Sequence, residues 1–278
     1  MTSSSPWILD AADVHRLEDI IIDANASLMQ ATIAGSPANP DGYALFDSGS
    51  ARASLTTNPH ARGFCSIVDA TGSSEKALLE CIAFFDARHV RPRAHVSPYD
   101  LDPARAALRA KAGLMQTGFH TVLHAPLDAL PPFVREEGDE RIQIEEVRDA
   151  DRFETFLDVQ IRGWGIPEVA LEYVKSVRRP WRGAADHRFY LATLDDQPAA
   201  HAMTFEAGDS AYLSSANTLP AFRRQGLQTA LIRRRINDAR REGKRRVIGA
   251  ADYESSSRTN MMRCGMQVAY TAAWWERP

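Results

Sequence analysis

The run Arg223-Arg224-Gln225-Gly226-Leu227-Gln228-Thr229-Ala230-Leu231 sets two cations and a glycine directly ahead of an apolar repeat with helical spacing, and the chemistry it suits is phosphate binding. The start of a helix leaves backbone N–H groups without intrahelical partners, and the aligned peptide dipoles add partial positive charge there. Gly226 lets the backbone approach an anion closely or take a positive φ. Arg223 and Arg224 supply charge-assisted donors from the side. Other residues capable of chemistry are scattered. His120, His124, His187 and His201 show no metal-ligand spacing with one another or with Cys65, Cys81 and Cys264, and no Ser-His-acid order stands out. No metal site is expected.

The elements that must position this loop are legible around it. Residues 211–217 read as a short strand that ends at Leu219-Pro220. From Leu227 the apolar positions Leu227, Ala230, Leu231, Ile236 and Ala239 recur mostly at three- and four-residue steps, with Gly243 where a helix stop is expected. A buried strand over residues 247–251 and a last strand over residues 268–275 follow.

The stretch from Thr218 to Leu231 resembles the acyl-CoA pyrophosphate loop of the GNAT superfamily of N-acetyltransferases, usually written Q/R-x-x-G-x-G/A. Arg223 falls on its first position and Gly226 on its glycine, while Gln228 stands where a second glycine or alanine is usual. Ser257-Arg258-Thr259-Asn260-Met261-Met262-Arg263-Cys264-Gly265-Met266 resembles the family's late helix and its turn into a strand, in the right order and spacing. The resemblance covers the chain from about Ile142 to the end. It implies acetyl-CoA (coenzyme A) as the cofactor, with the pyrophosphate held by Arg223, Arg224, Gln225, Gly226, Leu227, Gln228 and Thr229. It implies a pantetheine arm paired with the backbone of Asn217, Thr218 and Leu219. Asn260 and Arg263 either bond the coenzyme or belong to the helix start and its exposed face.

The attacking amine must lose a proton, since a free alkylamine is almost fully protonated near pH 7. The family often uses a glutamate on its fourth strand, and Glu206 is the acid nearest that place; a solvated strand-end carboxylate is the competing account. The family's usual proton donor to the departing thiolate is a tyrosine at the position of Met261. Methionine cannot donate a proton, so Tyr270 or Tyr253 is the candidate substitute.

The first half repeats the order of elements. A strand over residues 63–69, a helix over 74–89, a strand over 93–97 and a helix over 103–112 lead to Leu114-Met115-Gln116-Thr117-Gly118, in which Gly118 aligns with Gly265 and Met115 with Met262. Residues 69–76 lack paired arginines and carry acids. The expected fold class is therefore α+β, with tandem GNAT-like domains, each a mixed and mostly antiparallel sheet flanked by helices. Residues 1–130 form a degenerate domain without a phosphate loop, and residues 141–278 form the acetyltransferase domain. The turn-rich residues 128–141 join them.

A chain of 278 residues is comfortable for two domains. A net charge of −3 gives no overall attraction to nucleic acid or membrane. No apolar run approaches a bilayer-spanning length, no secretory signal is expected at the start, and three scattered cysteines fit a reducing cytoplasm. The helix after Gly226 carries Arg233, Arg234, Arg235, Arg240 and Arg241, followed by Lys244, Arg245 and Arg246. Interleaved aromatics are missing, so a solvated basic face near the coenzyme is the better account than nucleic-acid binding. Trp164, Tyr173 and Trp181 with Arg162 or Arg182 either line an acceptor pocket or face the first domain. The expected activity is acetyl or short-acyl transfer to an amine of a small molecule, with a non-catalytic acyl-CoA sensor as the alternative. The acceptor, the acyl length and the oligomeric state, a homodimer included, do not follow from the sequence.

Overall fold

The computed structural model describes residue 7 and residues 9–49, 51–69, 74–100, 102–133 and 140–278. It divides into two compact units, one joining residues 9–122 to Ala269–Pro278 and the other comprising Trp7 with Leu123–Val268. A division at residues 130 and 141 leaves the last strand in the second unit. Its pairing assigns it to the first.

In the first unit a long helix α1 (Ala11–Gly35) starts at a capping box between Asp10 and Asp13. Strands β1 (Ala44–Asp47), β2 (Ala51–Leu55) and β3 (Ser66–Asp69) follow, then α2 (Glu75–Asp86), β4 (Arg93–Val96), α3 (Pro103–Lys111) and β5 (Met115–Pro126), of which residues 115–122 belong to this unit. The sheet order is β1-β2-β3-β4-β12-β5, where β12 (Gln267–Glu276) is the chain's last strand. β12 runs antiparallel to β4, with Trp274 opposite His95. β3 and β4 are parallel, as a crossover through α2 requires. α2 exists because Ser74 caps its start and Leu78, Cys81, Ile82 and Phe85 form one buried face against Leu55, Ile67 and Val96.

The turn out of α3 corrects one alignment. Gly113, two residues past the helix, takes φ +80°, and Gly265 takes φ +86° at the same place after α7 (Ser256–Arg263), whereas Gly118 lies inside β5. The left-handed turn is what selects glycine, so Gly113 is the counterpart of Gly265.

The second unit begins with the last residues of β5 and continues through β6 (Ile142–Glu146), α4 (Ala150–Gly163), α5 (Leu171–Arg178), β7 (His187–Leu194), β8 (Gln197–Ala207), β9 (Ser210–Leu213), β10 (Ala216–Thr218), α6 (Leu227–Arg241), β11 (Arg246–Asp252) and α7. Its order is β5-β11-β9-β8-β7-β6, with β10 paired to β8. α6 buries Leu227, Leu231, Ile232, Ile236 and Ala239 on the sheet.

The basic face expected on α6 is largely spent inside the protein. Arg235 is 1% exposed, Arg234 donates to the Ile144 carbonyl at 2.7 Å, and Arg240 donates to the carbonyls of Leu127 and Leu130 at 3.0 and 2.8 Å. These guanidiniums cap carbonyls of the same unit. They do not form a stripe for a polyanion.

Candidate active site

Strand β9 pairs in parallel with β11 from Ser210↔Arg246 to Leu213↔Gly249. Beyond Leu213 the chain keeps β8 as its neighbour but parts from β11, with β10 paired to β8 while β11 runs on to Asp252. The register shows why. Tyr212 stands opposite Phe205 but Ala216 opposite Ala202, so residues 213–215 hold one residue more than the facing part of β8. An extra residue of this kind is a β-bulge, which bends its strand and ends regular pairing. A wedge opens between β10 and the end of β11.

Arg235 pins the bulge from within. Its guanidinium donates to the Met203 carbonyl at 2.9 Å and to the Ser214 carbonyl at 3.1 Å. Burial pulls its pKa down to about 10, which leaves it charged at neutral pH. Sequence reasoning placed Arg235 on the solvated face. Its place one turn after Leu231 and beside Ile236, on the apolar stripe, was the available signal.

The bulge also decides which backbone groups face the wedge. Leu219 N–H donates to the Ala199 carbonyl at 2.9 Å, and Met203 N–H donates to the Ser215 carbonyl at 2.9 Å. By antiparallel alternation, residues 215, 217 and 219 direct their backbone groups to β8, and Ala216 and Thr218 direct theirs away from it. Of the expected trio Asn217, Thr218 and Leu219, Thr218 therefore has backbone groups facing the wedge, and Ala216 joins it. Asn217 uses its side chain instead, donating from Nδ2 to the Gln160 carbonyl at 3.1 Å. Gly163 permits this approach, because a Cβ there would lie 1.9 Å from Asn217 Oδ1.

The loop expected to bind phosphate follows β10 directly. Arg224 and Gly226 take φ +64° and +84°, and Gly226 is the N-cap of α6 with no side chain capping the helix and no acid in its first turn. A Cβ on Gly226 would meet nothing nearer than Ile142 Cδ1 at 3.8 Å, so the loop is open on that side. Arg223 and Arg224 are exposed and Gln225, Gln228 and Thr229 half-buried, while Leu227 is buried. Arg223 donates from Nε to the Thr218 carbonyl at 3.3 Å. Gln228 Oε1 is a buried atom without a hydrogen-bond partner. The contrast with the first unit is local and physical. The start of α2 is capped by the Ser74 hydroxyl at 3.1 Å and carries Glu75, so its N–H groups are partly used and its field is countered. Residues 70–73 of the acidic connection read from the sequence lie outside the described residues.

The candidate base lies away from this wedge, and the candidate acid belongs to the first unit. Glu206 bonds Arg188, and Lys244 Nζ lies 3.2 Å from its other oxygen. Burial pushes its pKa up, but Arg188 and Lys244 outweigh burial and the net direction is down. Lys244 lies three residues beyond the end of α6, and a 15-residue helix is about 22 Å long. Glu206 therefore sits near the helix end opposite Gly226. Tyr270 belongs to the first unit, is buried, and donates to Glu18 Oε1 at 2.5 Å. Met261 is buried with its sulfur packed over Gly249. Asn260 is half-buried and Arg263 exposed on α7, with Arg263 Nη1 donating to Asn260 Oδ1 at 3.5 Å. Tyr253, one residue beyond β11, is 47% exposed. His201, opposite Asn217, is fully buried, and burial with Arg178 and Arg235 nearby pulls its pKa down to about 3, too weak a base for an amine's proton.

Residues 144–266 match the Acetyltransferase (GNAT) family. The chain carries a GNAT acetyltransferase domain. A GCN5-related N-acetyltransferase from Kribbella flavida is similar in fold at 16% identity and TM-score 0.62, over 92% of this chain and 95% of that one. A tandem GNAT protein from the clavulanic acid biosynthesis pathway is similar at 15% identity and TM-score 0.62, over 96% of each chain. A GCN5-related N-acetyltransferase from Sphaerobacter thermophilus aligns at 17% identity and TM-score 0.60, over 82% of this chain and 78% of that one. No match was found among curated proteins. The fold is thus that of tandem GNAT proteins, an α+β fold associated with acyl transfer from coenzyme A. Among the described residues no helix is long and apolar enough to cross a membrane, and no group of three or more His, Cys, Asp or Glu side chains is arranged to hold a metal ion.

Proposed function

We propose that the second unit binds acetyl-CoA or another short acyl-CoA and transfers the acyl group to a small-molecule amine by direct attack. The observation that carries this is the coincidence, within one loop, of an uncapped helix start, a left-handed Gly226 with open space beside it, two exposed arginines, and a wedge that begins where the loop's own strand leaves β11. A phosphate takes the free N–H groups at the start of α6. The backbone groups of Ala216 and Thr218 serve an extended arm as an added strand does. Bound acyl-CoA supplies an electrophilic thioester carbonyl and a thiolate leaving group.

Tyr253 is our choice for the group that gives the thiolate its proton, because it follows β11 at the wedge and has solvent access. Tyr270 is committed to Glu18, and Met261 has no proton to give. Thiol release from acetyl-CoA, screened against amino acids, polyamines and aminoglycosides, tests the reading. Turnover with at least one amine is expected, and Tyr253→Phe is expected to lower kcat about tenfold with acyl-CoA affinity unchanged. The buried Met261 at the usual proton-donor position favours a second reading, an acyl-CoA sensor. Firm binding of acetyl-CoA without thiol release across the panel selects that one.

A further inference from the structure

The end of α4 carries apolar side chains that the core of the second unit leaves in water. The helix closes in a tight turn, in which the N–H groups of Gly165 and Ile166 return to the carbonyls of Arg162 and Ile161 at 2.9 and 3.3 Å. The backbone here is held, yet Trp164 is 57% exposed, Val169 94% and Tyr173, at the start of α5, 46%. Single exposed apolar residues are ordinary. A tryptophan kept in water with two more such side chains in the next ten residues marks a contact surface.

Trp164 stands beside the wedge. The Gln160 carbonyl accepts the Trp164 N–H at 3.2 Å and Asn217 Nδ2 at 3.1 Å, so a single acceptor joins the end of α4 to β10. It stands on the face of the sheet opposite Gly226. Successive side chains of β8 alternate between faces, and Ala200 and Ala202 pack with Leu227 and Leu231 of α6, whereas His201 packs edge-on against Phe156 of α4. A coenzyme with its phosphates at the start of α6 fills the α6 side of the wedge. The α4 side is left for the incoming amine.

Charge decides what that amine carries. Arg162 donates to Glu168 at 2.7 Å, and each charge answers the other. Glu154, Asp158 and Glu172 are engaged by Lys175 and Arg179. Arg182 belongs to the turn Arg179–Gly183, which Arg179 ties to Glu154; ten residues of helix, about 15 Å, separate Glu154 from Trp164. These charges are spent on one another or lie away from Trp164, and what the loop offers a ligand is apolar surface. We propose that the acyl acceptor is a primary amine on an aromatic or branched apolar body, which Trp164, Val169 and Tyr173 cover while the amino group enters the wedge. This rests on the acyl-transfer reading above and names the substrate class of the same site. The neutral amine nitrogen bonds the acyl carbon as the carbon–sulfur bond breaks, and the proton that nitrogen loses balances the one the thiolate gains.

The test is calorimetric titration of the full chain, with coenzyme A present, using 2-phenylethylamine, 3-methylbutylamine, ethylamine and 1,4-diaminobutane, and the same amines as acceptors with acetyl-CoA. The two apolar amines are expected to bind at least about tenfold tighter than ethylamine or the diamine, with kcat/KM favouring them by a similar factor. Trp164→Ala is expected to raise KM for 2-phenylethylamine about tenfold and to shrink its preference over ethylamine to within about threefold, while acetyl-CoA affinity is kept. Trp164→Phe should restore most of the preference, which a structural role of the indole would not do. Val169→Asp, at a side chain almost wholly in water, should weaken the aromatic amine about fivefold without changing a urea melt. Equal binding of ethylamine and 2-phenylethylamine, a higher kcat/KM for the diamine, or a preference untouched by both Trp164→Ala and Val169→Asp overturns the proposal. Self-association that Trp164→Ala abolishes, with no preference among amines, assigns the surface to a second copy of the chain and overturns it as well. Preferential binding of the apolar amines without turnover of any amine supports the amine site and contradicts acyl transfer instead.

Discussion

Arg235 donates to the Ser214 carbonyl at 3.1 Å from inside the core, which ties the middle of α6 to the one-residue bulge that opens the wedge. A fully buried guanidinium is an expensive brace, since its desolvation offsets much of what its bonds contribute. Arg235→Met should therefore change global stability by no more than about 2 kcal/mol, the carbonyls it abandons being balanced against the charge no longer buried. The bulge, however, loses its clamp. Acetyl-CoA affinity should fall about tenfold, measured by titration beside a urea melt, and wild-type affinity in the variant would contradict a role for Arg235 in shaping the site.

Gly163 and Asn217 provide a second check. An alanine at 163 must displace Asn217, whose bond to the Gln160 carbonyl is worth about 1 kcal/mol. Gly163→Ala should destabilise the protein by roughly that amount in the wild-type background and by almost nothing in Asn217→Ala. Equal effects in both backgrounds would show that the two residues are not coupled.

Glu206 behaves as a structural carboxylate in this account. Its folded pKa lies below its ordinary value, so the stability it contributes is present above its unfolded pKa, about 4.3, and is lost as pH falls through the folded value. Glu206→Gln should cost about 1–2 kcal/mol at pH 7, as a partly buried ion pair does, and the gap to wild type should close in acid. Urea midpoints at pH 7 and pH 3 measure it. A variant of full stability with a collapsed acyl-transfer rate would restore Glu206 as the base.

Much of this was legible in the residues because the signals were local. The loop from Arg223 to Gly226, the stripe of α6, the strand β11 and the turn at Gly265 each follow from a short pattern of glycine, cation and apolar spacing. α1 left no such trace, because its buried face includes Glu18 and Thr32 and its apolar stripe is diluted. The parting from β11 at Leu213 was invisible, since a bulge is a mismatch between two strands and neither strand alone records it. The surroundings of Glu206, Tyr270 and Arg235 were illegible for the same reason. Each is defined by a partner distant in sequence, Arg188 and Lys244 in one case, Glu18 in the next, Met203 and Ser214 in the last.

The central claim is that Gly226 and the start of α6 hold the phosphates of an acyl-CoA. Aspartate tolerates the left-handed backbone at φ +84° better than most residues but sets a like charge against the phosphates. Calorimetric titration of acetyl-CoA into the wild type and into Gly226→Asp is the direct measurement. The account predicts one site per chain in the wild type and at least a hundredfold loss in a variant that still unfolds cooperatively. Undiminished affinity in the folded variant, two equivalent sites per chain, or no binding by the wild type would contradict it.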